Sequence, residues 1–124
     1  RLRSRGLGDV YKRQHQQYVT MLPKSITTAI GIGISEELGG IVTITVAVII
    51  ITGILGNVIA DTVFHIFKIK NPLAKGLALG TASHAIGTAR AIEMGPVEGA
   101  MSSLAVAVAG LLTVVFVSGF AQLI

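Results

Sequence analysis

Residues 38–60, LGGIVTITVAVIIITGILGNVIA, contain no charged side chain and decide the class of the fold. As an α-helix this stretch would reach roughly 33 Å, which is enough to cross the hydrocarbon core of a bilayer. Residues 99–124, GAMSSLAVAVAGLLTVVFVSGFAQLI, form a second run without charges. The sequence therefore predicts two long membrane-spanning helices.

The composition agrees with this interpretation. Hydrophobic residues make up 52% of the 124 residues and charged residues only 13%, and the mean hydropathy is +0.76. The alternative is a soluble protein with two buried core helices, but so short a chain has too little polar surface to enclose them. We predict an all-α integral membrane protein. Because cysteine is absent, disulfides, thiolate metal sites and cysteine nucleophiles are excluded.

The net charge of +4 is concentrated at one end of the chain. Residues 1–14, RLRSRGLGDVYKRQ, carry five basic residues and one acidic residue, whereas the remainder carries five of each. We expect residues 1–15 to be a non-native or disordered basic leader and residues 16–124 to be the transmembrane domain; a genuine basic arm beside the membrane is the alternative. Without the leader, no charge pattern indicates nucleic-acid binding.

Two further segments lie between the leader and the second apolar run. Pro23 is placed to open a short helix of about a dozen residues, too short to span a bilayer. Residues 61–76, DTVFHIFKIKNPLAKG, contain three lysines around the Asn71-Pro72 turn signal. By the positive-inside tendency, this loop is predicted to lie in the cytoplasm.

The chain matches itself at an offset of 56 residues. This offset places residues 29–31 on residues 85–87, both reading Ala-Ile-Gly, and Glu37 on Glu93. Each copy would contain a shorter, polar-tinged helix, broken or re-entrant, followed by a long apolar helix. A re-entrant segment would invert the second copy, whereas a broken helix that crosses fully would keep the copies parallel. A chance match among abundant small residues is the alternative.

Residues 76–90, GLALGTASHAIGTAR, combine small residues with polar ones. On a helix, Gly76, Gly80 and Gly87 would share one face, which favours close packing against a neighbouring helix. Packing explains Ser83 and His84 less well than it explains the glycines, because an imidazole at membrane depth needs a partner or water.

The functional hypothesis treats this segment as half of a broken helix that faces a wet cavity and binds a small carboxylate. Its donors would be the side chains of Thr81, Ser83, His84, Thr88 and Arg90. The corresponding place in the first copy offers Thr27 and Thr28. Alternatively, Arg90 forms a purely structural pair with Glu93, three residues away.

Enzymatic and metal sites are not predicted. Ser83, His84 and Asp61 contain the residue types of a hydrolase triad, but adjacent residues on a helix point about 100° apart and no nucleophile elbow is present. The three histidines show no spacing typical of metal ligands. We expect neither a catalytic residue nor a cofactor.

The motifs PKSITTAI (residues 23–30) and GLALGTASHAIGTARAIEMGPVEGAMSSLAVAVAGLLTVV (residues 76–115) resemble the C-terminal half of the LrgB/CidB family. The resemblance implies a bacterial inner-membrane, multi-pass protein that is antiholin-like and modulates murein hydrolase activity and autolysis. It also implies a smaller holin-like partner of the LrgA/CidA type, and relatives are implicated in moving pyruvate, glycolate or glycerate.

Two hypotheses follow from the residues and the resemblance together. In the first, the protein transports small monocarboxylates with the holin-like partner, as an oligomer in the bilayer. In the second, it is an antiholin-like regulator of autolysis without a transport site of its own. They differ on Ser83, His84 and Arg90, since only transport needs the chemistry of these side chains.

Overall fold

Five helices form the computed structural model, which describes residues 2–123 and the side chains of residues 6–123. They are α1 (Leu2–Met21), α2 (Thr28–Glu37), α3 (Val42–Ile66), α4 (Pro72–Met94) and α5 (Pro96–Ala121). No strand occurs among residues 2–123. The predicted all-α fold is confirmed.

The two long apolar helices are α3 and α5. Each contains a window with a mean hydropathy of 2.4, and only 17% and 22% of these windows are buried. Both helices are therefore long and apolar enough to cross a membrane, as predicted. Helix α3 continues past the predicted end of the apolar run at Ala60 and includes Asp61, whose carboxylate is paired with Arg90 of α4.

Helix α1 includes the segment that was predicted to be a leader. Residues 2–15 are part of this helix, which is anchored at its C-terminal end, where Val19 and Thr20 are 0% and 2% exposed. The Tyr18 hydroxyl donates a hydrogen bond to the Phe120 carbonyl of α5 at 2.9 Å. That residues 1–15 are a leader foreign to the natural protein stays a prediction.

Helix α2 begins later than its proline signal predicts. It starts at Thr28 and has ten residues, whereas Pro23 lies in a series of turns. The reason is local: Leu22 and Lys24 complete the end of α1 through hydrogen bonds to Tyr18 and Met21. Thr27 is then extended, with φ −63° and ψ 145°, and a new helix starts only after it.

Helix α4 reverses direction at His84. That residue has φ 41° and ψ −129°, which no α-helix accommodates. The two halves, α4a (residues 72–83) and α4b (residues 85–94), return to the same part of α5: Gly76 lies against the Glu98 carbonyl, and a Cβ added to Gly99 would lie 3.1 Å from the Cα of Ile92. In a straight helix, Gly76 and Ile92 would be about 24 Å apart. Helix α4 is therefore a helical hairpin.

The hairpin tip lies half-way along α3. Gly53, near the middle of α3, is beside His84 and Ile86, whereas Phe64, near its end, is beside Lys75 at the start of α4. Helix α2 packs against the other half of α3, where Gly31 contacts Ile49 and Ser35 contacts Thr45. The hairpin and α2 thus approach the middle of α3 from opposite ends.

The helix bounds follow the offset of 56 residues seen in the sequence. Thr28, the first residue of α2, is matched with His84, where α4 reverses. Residues 42–66 of α3 are matched with residues 98–122, close to the bounds of α5. The internal repeat itself stays a prediction.

Candidate functional site at the hairpin tip

Two polar side-chain atoms buried at the tip have no hydrogen-bond partner among the described residues. Ser83 is 1% exposed and His84 is 2% exposed. The Ser83 hydroxyl oxygen and His84 Nε2 are both unpartnered. An unpaired buried polar group costs about 1–3 kcal/mol, so such groups are rare outside sites where a ligand or water completes them.

Glycines of α3 allow these side chains to lie so deep. A Cβ added to Gly53 would lie 3.2 Å from His84 Cε1, and one added to Gly56 would collide with the Ser83 hydroxyl. Because Gly53 and Gly56 are three residues apart, they form one face of α3. This face was not among the predicted features, although the G-x-x-G spacing at residues 53–56 is a sequence signal for it.

The backbone at the tip is strained and depends on a glycine. A φ of 41° is uncommon for a residue other than glycine and costs on the order of 1–3 kcal/mol. Gly87 follows within α4b, where an added Cβ would lie 2.6 Å from the Leu79 carbonyl oxygen of α4a. Gly87 was predicted to pack against a neighbouring helix. In the structure it lets the two halves of its own hairpin meet.

The N-terminus of α2 reaches the tip from the opposite side. The imidazole of His84 interacts with the backbone of Lys24, just before α2. Thr27 is the N-cap but makes no side-chain cap, and the first backbone bond runs from Gly31 N to the Thr27 carbonyl at 2.9 Å. The N–H groups of residues 28–30 therefore have no acceptor within α2.

Two half-helices consequently begin in the same region. Helix α2 starts at Thr28 beside Lys24, and α4b starts directly after His84. The N-terminal end of a helix carries a partial positive charge, and free N–H groups there bind small anions. The predicted Thr27 and Thr28 lie at this end of α2, although no described hydrogen bond joins either threonine to Ser83 or His84.

The structure places Thr88 and Thr81 differently from each other. Thr88 Oγ1 donates to the His84 carbonyl at 2.8 Å and lies 2.8 Å from the Ser102 hydroxyl of α5. It therefore connects the tip to the long helix. Thr81 is exposed, and its hydroxyl bonds back to the Leu77 carbonyl at 2.8 Å. Thr81 therefore does not face the buried side of the tip, and its role as a substrate donor stays a prediction.

Arg90 forms ion pairs with two carboxylates. Its guanidinium bonds to Asp61 of α3 and, at 2.8 Å, to Glu93 of its own helix. The alternative of a structural Arg90–Glu93 pair is thus present, together with a second partner that the sequence did not indicate. Arg90 is 35% exposed and does not form a free carboxylate clamp in this structure. The three side chains instead join α3 to the returning half of the hairpin.

The remaining two glycines lie where α4a crosses α5. A Cβ added to Gly76 would lie 2.8 Å from Met101 Cβ, and one added to Gly80 would lie 2.8 Å from Ala105 Cβ. Close approach of the two backbones thus requires residues without a side chain at both positions.

A cavity of about 140 Å³ reaches Ser83 from between α3 and α4. Apart from Ser83, its wall is formed by small and apolar side chains, including those of Gly56, Ala60, Leu79 and Ala82. Among the described residues, Ser83 is therefore the one polar side chain in the lining of this cavity.

Comparisons with known proteins identify the family. The LrgB-like family matches residues 3–123. Antiholin-like protein LrgB of Bacillus subtilis (strain 168) is 47% identical over 105 residues, which is 85% of this chain and 46% of that protein. Antiholin-like protein LrgB of Bacillus mycoides (strain KBAB4) is 48% identical over 101 residues, which is 82% of this chain and 44% of that protein.

The chain spans less than half the length of these relatives. No solved structure matches it. Because the family match covers nearly the whole chain and the relatives are 47% and 48% identical, the resemblance predicted from the sequence is confirmed, and the chain belongs to the LrgB-like family.

Proposed function

We propose that this chain forms part of a transporter of small monocarboxylates, with the substrate bound at the hairpin tip. One observation carries the proposal: the unpartnered Ser83 hydroxyl and His84 Nε2 lie at the start of α4b, and the His84 imidazole interacts with Lys24, just ahead of α2. Discontinuous helices that meet in this way bind anionic substrates at the middle of the membrane in several transporter folds. No catalytic residue or cofactor is part of the proposal.

The chemistry of the tip favours a carboxylate over a cation. Backbone N–H groups of residues 28–30 and the Ser83 hydroxyl can donate hydrogen bonds, and both ring nitrogens of His84 can donate when the imidazole is protonated; Lys24 adds a positive charge nearby. The apolar cavity beside Ser83 would accept the methyl or hydroxymethyl end of an acid such as pyruvate or glycolate. Its volume of about 140 Å³ suits a substrate of a few heavy atoms.

The proposal places the protein in the bacterial inner membrane as a multi-pass protein. Helices α3 and α5 would cross the bilayer, with the tip of α4 near its centre. Lys68, Lys70 and Lys75 would lie on the cytoplasmic side, in agreement with the positive-inside tendency. By analogy with the family, the protein would act as an oligomer with a smaller LrgA/CidA-type partner.

Uptake of labelled pyruvate, lactate and glycolate tests the substrate site. The complete protein carrying this chain would be produced with its holin-like partner in cells that lack both. Ser83→Ala and His84→Asn should each lower uptake about tenfold or more, because a hydrogen bond to a charged group contributes about 1.5–3 kcal/mol. Ser103→Ala is the matched control, since Ser103 is exposed and bonds only to its own helix at 2.9 Å.

The outcomes distinguish a loss of substrate binding from a lower amount of protein in the membrane. The proposal requires that uptake falls in the two tip variants, that it persists in Ser103→Ala and that membrane levels are equal in all three. If the tip variants take up the acids as fast as the unmodified protein, the tip is not the substrate site.

The second candidate is an antiholin-like regulator of murein hydrolase activity, which the names of the matched relatives favour. In that case the chain would act through contacts with its partner and would need no donor at the tip. The same strains distinguish the candidates when their autolysis is measured: a regulator should alter autolysis without any acid uptake, and Ser83→Ala should leave that effect intact.

A further inference from the structure

A second cavity, remote from the hairpin tip, lies where α3 ends and α4 begins. Its volume is about 470 Å³, within the range of about 300–1,000 Å³ that is typical of small-molecule sites. Lys68, Lys70 and Lys75 line it together with His65. Three of the five basic residues that follow residue 14 thus surround a single cavity.

The positive charge of this cavity is not neutralised within the chain. Asp61 is the acidic residue in its wall, and its carboxylate is paired with Arg90. No ion pair between a carboxylate and any of the three lysines occurs in residues 6–123. The Lys75 ammonium lies 5.8 Å from the centre of the Phe64 ring, which holds it beside the cavity while leaving its charge available to an anion.

The surroundings of the cavity indicate which anion would bind. Ile66 and Phe67, next to the lysines, are 66% and 72% exposed, and they lie at the C-terminal end of α3. An aromatic and an aliphatic side chain beside lysines at a helix end are typical of a membrane–water interface. An anion bound there would have polar groups on one side and lipid chains on the other.

We infer that the lysine cavity binds the phosphate group of an anionic lipid headgroup. Lysine is a compact cation that binds phosphate well, and basic pockets at the cytoplasmic end of membrane helices bind such headgroups. The inference rests on the proposed membrane placement of α3 but not on carboxylate transport. It assigns to this end of the molecule a role separate from that of the tip.

Lipid-dependent thermal unfolding tests the inference. The protein would be purified in dodecyl maltoside and its unfolding midpoint followed by circular dichroism during titration with phosphatidylglycerol, phosphatidylcholine or inorganic phosphate. The variant Lys68→Gln/Lys70→Gln removes two charges from the cavity. Lys12→Gln/Arg13→Gln removes two charges from exposed positions of α1 and is the matched control.

Phosphatidylglycerol should raise the midpoint of the unmodified protein and of the α1 variant, whereas phosphatidylcholine should not. The cavity variant should need about tenfold or more phosphatidylglycerol for the same shift, since each basic residue near an anionic surface contributes about 1 kcal/mol. A separate Lys75→Gln variant should also need more phosphatidylglycerol than the unmodified protein for the same shift.

Three results would overturn the inference. The cavity variant could respond like the unmodified protein, both double variants could weaken equally, or inorganic phosphate could stabilise the protein at the concentrations at which the lipid does. Either of the first two results would exclude this cavity as the lipid-binding site. The third would mean that the ligand is a soluble phosphate and not a lipid. No small carboxylic acid is added in this experiment, so the lipid response is expected even if the protein does not transport such acids.

Discussion

At the scale of single residues, two buried serines have opposite environments. Ser102 is 0% exposed and shares a 2.8 Å hydrogen bond with Thr88. Ser83 is 1% exposed, and its hydroxyl is unpartnered. The Ser102 hydroxyl therefore stabilises the fold, whereas the Ser83 hydroxyl destabilises the empty protein unless a ligand completes it.

Replacing these serines by alanine should therefore have opposite effects on stability. We expect Ser83→Ala to raise the free energy of unfolding by up to about 1 kcal/mol, because an unsatisfied buried group is removed. Ser102→Ala should lower it by about 0.6 kcal/mol, a typical value for one hydrogen bond between membrane helices. Chemical unfolding in detergent micelles without added acid measures both. A clear destabilisation by Ser83→Ala would mean that its hydroxyl has a structural partner.

At the scale of elements, the approach of α4a to α5 depends on Gly76 and Gly80. Between membrane helices no hydrophobic effect drives association, so small residues that allow close van der Waals contact are the main stabilising feature. A Cβ added to Gly80 would meet not only Ala105 but also the Ser102 carbonyl of α5. A backbone atom cannot move aside as the end of a flexible side chain can.

The variant Gly80→Ala should consequently force the two helices apart. We expect a loss of about 1–3 kcal/mol in unfolding free energy, as for other overpacked sites. Gly33→Ala is the control: Gly33 is an exposed residue of α2 with open space around its Cα, so alanine there should raise stability by up to about 1 kcal/mol. Equal effects of the two substitutions on the thermal midpoint would contradict the close contact between α4a and α5.

At the scale of the whole molecule, the hairpin determines which ends of the helices lie together. Because α4 turns back at His84, the loop before it and the Gly95 turn after it lie at the same end of α3 and α5. The end of α2 and the C-terminal end of α5 lie at the other end. A helix α4 that crossed completely would place the two α4 termini at opposite ends.

Labelling of single cysteines distinguishes these arrangements, and the chain has no cysteine of its own. We expect Lys70→Cys and Val97→Cys to react with a membrane-impermeant maleimide from one side of the membrane, and Glu37→Cys and Gln122→Cys from the other. Leu104→Cys, within α5, should react from neither side. Labelling of positions 70 and 97 from opposite sides would exclude the re-entrant hairpin.

The sequence by itself determined the features that depend on local composition. The apolar runs at residues 38–60 and 99–124 predicted α3 and α5 because hydropathy averaged over a helix length is a property of the run alone. The polar-tinged segment around Ser83 and His84 indicated a broken or re-entrant helix for the same reason. The motifs of residues 76–115 also sufficed to indicate the family.

Only the tertiary structure decided how these segments meet. The pairing of Arg90 with Asp61 joins residues 29 positions apart, and the face formed by Gly53 and Gly56 has a function only because the hairpin tip packs against it. The reversal at His84 likewise has no strong local signal, since histidine is not a residue that favours positive φ as glycine does. It is stabilised by contacts with α3 and α5, which lie outside the segment that turns, and no local pattern in the sequence encodes such contacts.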